Sequence, residues 1–127
     1  MGERVSIEVS SVNLVAELND SLTARAVSAA LPLQAAVHRW GDEVYFETPI
    51  HIDQARDARE LMAVGELAFW PAGDAFCIFF GPTPVSLAGE PRAYSPVNPF
   101  GNIIGDAGAL RTALEGDRVC VRRIGPS

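Results

Sequence analysis

The chain has 127 residues, 48% apolar and 20% charged, which suits a single ordered domain spanning residues 1–127 and excludes an intrinsically disordered one. Its formal charge of −6 argues against a nucleic-acid partner, because backbone binding needs clustered cations. No apolar run approaches the ~20 residues that span a bilayer, and the N-terminus lacks the regions of a signal peptide, so a cytoplasmic protein with no membrane partner is expected.

Val5, Ile7 and Val9 alternate with polar residues, and Val12, Leu14, Ala16 and Leu18 do the same, which predicts a hairpin turning at Ser10-Ser11. Asn19, Asp20 and Ser21 supply capping groups for a helix over 21–31, with Leu22, Ala26, Ala29 and Ala30 as its buried stripe; Pro32 ends it. Residues 34–40 and 43–49 form the next hairpin around Gly41-Asp42. The polar stretch 51–64 crosses outside the sheet, with one or two helical turns over 55–62. Residues 67–70 and 76–80 are apolar strands joined by a turn at Pro71, Gly73 and Asp74. A proline-bearing loop over 84–96 follows, then a strand over 97–105, a short helix over 107–114 and a closing strand over 118–124. Eleven glycines and nine prolines spread along the chain fit many short strands. The sum is a mostly β protein, a closed barrel of about eight strands with two short helices. Same-face alternation places Val44, Phe46, Leu67, Phe69, Ile78, Phe80, Ile104 and Val119 in its core.

No residue pattern carries a familiar chemistry. His38 and His51 lack HxxxH, CxxC or HExxH spacing, so no metal or cofactor is expected. Cys77 and Cys120 read as isolated free thiols, and Ser86 and Ser95 sit in no nucleophile elbow. Arg92 and Tyr94, in the long loop, offer one charged and one amphipathic contact to a ligand. The apolar hairpin, with Trp70 and Phe79 on its outward face, is a candidate surface for homodimerisation or docking.

The C-terminal run NPFGNIIGDAGALRTALEGDRVCVRRI resembles the end of the cyclophilin fold, in which a Phe-Gly pair opens a strand, a second glycine closes it, and a short helix precedes the last strand. The whole chain is similar to the small prokaryotic cyclophilin-like proteins, a family without an established activity. Its marks are Trp40-Gly41, Val44-Tyr45-Phe46, Thr48-Pro49, Gly65-Glu66, Trp70-Pro71, Gly73 and the run from Phe79 to Pro84. True cyclophilins are peptidyl-prolyl isomerases, and the resemblance carries only part of their site. Val37-His38-Arg39 matches the context of their key arginine, so Arg39 is the candidate donor to a prolyl nitrogen, with Phe46 and Phe79 as a floor. Their catalytic tryptophan and histidine fall on Arg92 and Val97, and their glutamine on Glu47. The expectation is a non-catalytic barrel that binds a small molecule or peptide segment through Arg39, Phe46, Phe79, Arg92 and Tyr94. A divergent prolyl isomerase is the enzyme alternative. An apolar slot with Arg39 at its lip would favour a peptide; a cluster of donors such as Arg92 would favour a small anion.

Overall fold

A computed structural model describes residues 2–124; Met1 and the last three residues of the expected domain lie outside the described residues. The strands are β1 (Arg4–Val9), β2 (Val12–Leu18), β3 (Leu33–Ala36), β4 (His38–Arg39), β5 (Glu43–Glu47), β6 (Arg59–Leu61), β7 (Glu66–Trp70), β8 (Ala75–Phe79), β9 (Arg92–Ile104) and β10 (Arg118–Arg123). One α-helix, α1 (Leu22–Ala30), a one-turn 3₁₀ helix at Pro71–Gly73 in the turn between β7 and β8, and a longer 3₁₀ helix, Ala107–Thr112, complete the frame. The main sheet runs in the order β3-β10-β1-β2-β9-β7-β8-β5-β4, and β6 pairs only with β9.

The expected closed barrel of eight strands is therefore corrected to a ten-stranded sheet whose ends, β3 and β4, are joined by no ladder. Two features account for the count. The expected strand 34–40 is broken at Val37, whose N–H donates to the Asp117 carbonyl and whose carbonyl accepts from the Gly116 N–H. Its first part, β3, therefore pairs with β10, while β4 pairs with β5. The second is β6, a strand where helical turns were expected; it lies along the first half of β9.

β9 also takes in the last part of the expected loop over 84–96, from Arg92 onward. Prolines make this segment read as a loop, since proline cannot donate to a ladder. Here Pro96 and Pro99 lie where the pairing is already irregular. Between Leu67 and Ala68 the β7 partner jumps from Gly101 to Pro99, and the β6 pairing shifts between Arg59–Val97 and Leu61–Arg92. A jump of this kind upsets simple alternation. Ile103 points inward, and Ile104, expected in the core, is 42% exposed.

Phe46 stacks on Phe76 at 4.8 Å, and Phe76 meets Phe100 edge-on at 5.0 Å; Val5, Ile7, Val9, Leu67, Phe69, Ile78 and Val119 pack in the same core. Helix α1 starts as its sequence dictates, with the Ser21 hydroxyl accepting from the Ala24 N–H at 3.0 Å. It buries Thr23, Ala24 and Val27, and the expected stripe is corrected because Leu22 is exposed. Thr23 accepts a hydrogen bond from the fully buried Asn98, whose amide also bonds Asp53 and Ala55 and so ties the polar crossing segment to the sheet.

β7 and β8 are apolar on their outer face as well. Ala68, Ala75, Cys77 and Phe79 form a second buried cluster, covered by Met62, Ala93 and Val97 from the β6–β9 layer. Phe79 is thus fully buried, and the expected docking surface of exposed Trp70 and Phe79 is corrected accordingly. Among the described residues no helix is long and apolar enough to cross a membrane. Removing the Ile103 side chain to alanine should cost about 2–5 kcal/mol in urea denaturation, whereas Ile104→Ala should cost less than about 1 kcal/mol. Equal losses would contradict the β9 register.

Candidate functional site

The outer cluster ends in a cavity of about 210 Å³ between β5, β8 and the first half of β9. Strand alternation builds its floor. In β5, Val44 and Phe46 enter the main core, which sends Glu43 and Tyr45 to the opposite face. Register then sets Tyr45 beside Cys77, and Cys77 beside Ala68. Trp40, Trp70 and Tyr94 complete the walls, and Ala93 and Val97 close one side.

Four aromatic rings surround this space. Tyr94 meets Trp40 and Trp70 nearly at right angles, each with ring centres 6.2 Å apart, and Trp70 meets Tyr45 in the same manner at 6.4 Å. The Trp70 indole N–H donates to the Ser95 hydroxyl at 2.7 Å, fixing the ring against β9. Tyr94 is 71% exposed and forms the mouth.

Glu43 is the unusual member. Only two carboxylates are buried among the described residues, Glu43 and Glu66. Glu66 is bound by the Arg59 guanidinium and the Ala63 N–H. Among the described residues Glu43 has no cation beside it, only the Cys77 thiol and the cavity. Burial pushes its carboxyl up to about 7, partly offset by that thiol. The Cys77 thiol is itself pushed well up, by burial first and the Glu43 charge second, which makes it a poor nucleophile.

Of the ligand contacts expected from sequence, Arg39, Phe46, Phe79, Arg92 and Tyr94, Tyr94 alone lines this cavity. Arg39 donates to the carbonyls of Gly41, Arg111 and Ala113 and to the Asp42 carboxylate, with its guanidinium 5.0 Å over the Phe80 ring. Those bonds clamp the Trp40-Gly41-Asp42 turn to the end of the Ala107–Thr112 helix. Phe46 lies in the main core and Phe79 in the outer cluster, on opposite faces of the sheet, so they form no common floor with Arg39. Arg92 is engaged by Glu90 and approaches Glu60. His38 bridges Glu115 and Glu47, and its pKa is raised chiefly by the Glu115 hydrogen bond. The cavity wall has neither an arginine at its lip nor a cluster of cationic donors. Trp40, Glu43, Tyr45 and Trp70 were not among the expected ligand contacts; the parity that put Val44 and Phe46 inside already implied the outward pair Glu43 and Tyr45.

Residues 3–122 match the cyclophilin-like family. The chain belongs to that family. It is also similar to a hypothetical protein of Archaeoglobus fulgidus whose solution structure is known, at 33% identity and a TM-score of 0.81, covering 96% of this chain and 95% of that one. A search of curated proteins finds no match. In this cyclophilin-like chain Val97, expected from the resemblance to stand where the isomerases have their catalytic histidine, lines the cavity.

Glu43 gives this site a pH signature. Unfolded, the carboxyl ionises near 4.5; folded, it does so at about 7. The folded state therefore holds the proton longer, and the stability this confers is intact below pH 4.5 and lost as pH rises through about 7. Glu43→Gln should match the parent at acid pH and exceed it by about 2–3 kcal/mol at pH 8, read by urea denaturation across pH. Arg39→Ala should lower stability by about 2 kcal/mol at every pH, since it removes four hydrogen bonds and the guanidinium packed over Phe80.

Proposed function

We propose that this cyclophilin-like protein is a non-catalytic binding module, and that its ligand enters the cavity walled by Trp40, Tyr45, Trp70 and Tyr94. The observation that carries this reading is the gathering of four partly exposed rings over a buried, unpaired carboxyl. Concave apolar sites with a few polar groups are where small ligands bind, and aromatic rings give large contact area at low entropic cost. The cavity is small, so it takes a small molecule or a single side chain of a peptide.

Prolyl isomerisation finds less support. It needs a free donor near the prolyl nitrogen and an apolar floor, because the barrier to be lowered is about 20 kcal/mol. The Arg39 guanidinium is committed to four hydrogen bonds within the protein. Phe46 and Phe79 are both fully covered. Homodimerisation through the apolar hairpin likewise loses its exposed phenylalanine.

The chain has two tryptophans, and both line the cavity. In a ¹⁵N–¹H spectrum their two indole signals therefore report on this site alone. A panel of small neutral, cationic and anionic compounds should include members that shift both indole signals, and Tyr94→Ala should weaken that binding without changing thermal stability. A proline-peptide exchange assay should show no acceleration. Binders that leave both indoles unmoved, or measurable isomerase activity abolished by Arg39→Ala in a folded variant, would reverse the reading.

A further inference from the structure

We infer that the cavity selects a small organic ammonium ion, quaternary or heavily methylated, held by the faces of its aromatic walls and by the Glu43 carboxylate. This inference rests on the binding reading above and names the ligand class. Charge complementarity carries it. Glu66, the other buried carboxylate on this side of the sheet, has its own arginine; Glu43 has none, although the chain carries ten. A buried carboxylate without a counter-ion is costly, and a bound cation is the partner that removes the cost.

The walls suit the same ligand. Cations are attracted to the faces of Trp, Tyr and Phe, and rings set at right angles around one space offer several faces to a single charge. Trp40, Tyr94, Trp70 and Tyr45 follow one another in edge-to-face contact at 77–80°. A primary ammonium has three N–H donors to satisfy, and apolar Ala93, Val97 and Cys77 give it few acceptors. A methylated ammonium has few or none to satisfy. At about 210 Å³ the cavity is below the ~300–1,000 Å³ of sites for drug-sized ligands, which matches a head group of a few heavy atoms. An anion would be repelled by Glu43 and by the net charge of −6.

Binding should then release a proton. The groups facing the Glu43 carboxyl are Cys77 from β8, Tyr45 from its own strand and Tyr94 from β9; Trp70 from β7 is uncharged. Cys77 and Tyr45 are both pushed up from their ordinary values, so the proton leaving near neutral pH is that of Glu43.

Choline and its neutral carbon isostere 3,3-dimethyl-1-butanol, titrated against the full chain at pH 8 and pH 6, test this directly. Choline should shift both indole signals and bind at least tenfold more tightly than the alcohol at pH 8, with weaker binding at pH 6. Glu43→Gln should lower choline affinity about tenfold and leave the alcohol unchanged. Tyr94→Ala, at an exposed position, should weaken choline in a protein of parental stability. Equal affinity for the two compounds, or choline binding indifferent to Glu43→Gln, overturns the cation inference while the binding reading stands. If neither compound moves the indoles and a neutral or anionic compound does, the result is the same. If no compound of any class moves them, both fail.

Discussion

β7 and β8 are apolar on both faces, and each face must be kept from water. The inner face meets the main core, where Phe69, Phe76 and Ile78 are fully buried. Successive residues of a strand point to opposite sides, so the outer Ala68, Cys77 and Phe79 need a second cover. The β6–β9 layer supplies it. Most of the molecule's peculiarities follow: a 13-residue strand that changes partners along its length, prolines placed at the irregular points, and a crossing segment tied down by Asn98. The cavity is where that cover stops short of β5.

The sequence therefore speaks clearly about one side of the sheet and poorly about the other. Alternation identified Val44, Phe46, Leu67, Phe69, Ile78 and Phe80 as inward, and all six are buried. Nothing local says what covers Phe79, because Met62 and Ala93 come from segments that read as a polar crossing and a proline loop, and Val97 from the first residue of the strand expected after it. Parity also fails across a bulge, which is why Ile103 and Ile104 exchange places. Arg39 was misleading for a related reason. Its partners at Arg111 and Ala113 are backbone carbonyls 72 and 74 residues away, and carbonyls leave no trace in residue type. Of the cavity itself Tyr94 was legible, as an amphipathic residue with an exposed ring; Glu43 was hidden by lying in a strand whose apolar members drew the attention.

The turn beside the cavity shows how the family's marks become geometry. Gly41 adopts a positive φ of 60°, and a Cβ there would come within 2.9 Å of Thr83 and Pro84. The Asp42 N–H donates to the Pro82 carbonyl, and the Phe80 N–H donates to Asp42. Arg39 grips Asp42 from the other side. Trp40 enters the cavity from a turn braced at each neighbouring residue, so its position is set by backbone packing as well as by its ring contacts. The Trp-Gly pair and the Gly-Pro-Thr-Pro run are thus two halves of one contact.

The break in the main sheet has a bearing on how this protein meets other chains. An unpaired strand offers a row of N–H and C=O groups on which another strand can be added, and long, flat, apolar edges are the hazardous ones. Here β3 has four residues, β4 has two and β6 has three, with Arg59 and Glu60 in the last. The long strands β2 and β9 lie inside the sheet, β2 between β1 and β9, and Val37, between β3 and β4, has both backbone groups bonded. Leaving its ladder unclosed costs the chain little, because the strands at its two ends, β3 and β4, are too brief to template a growing sheet.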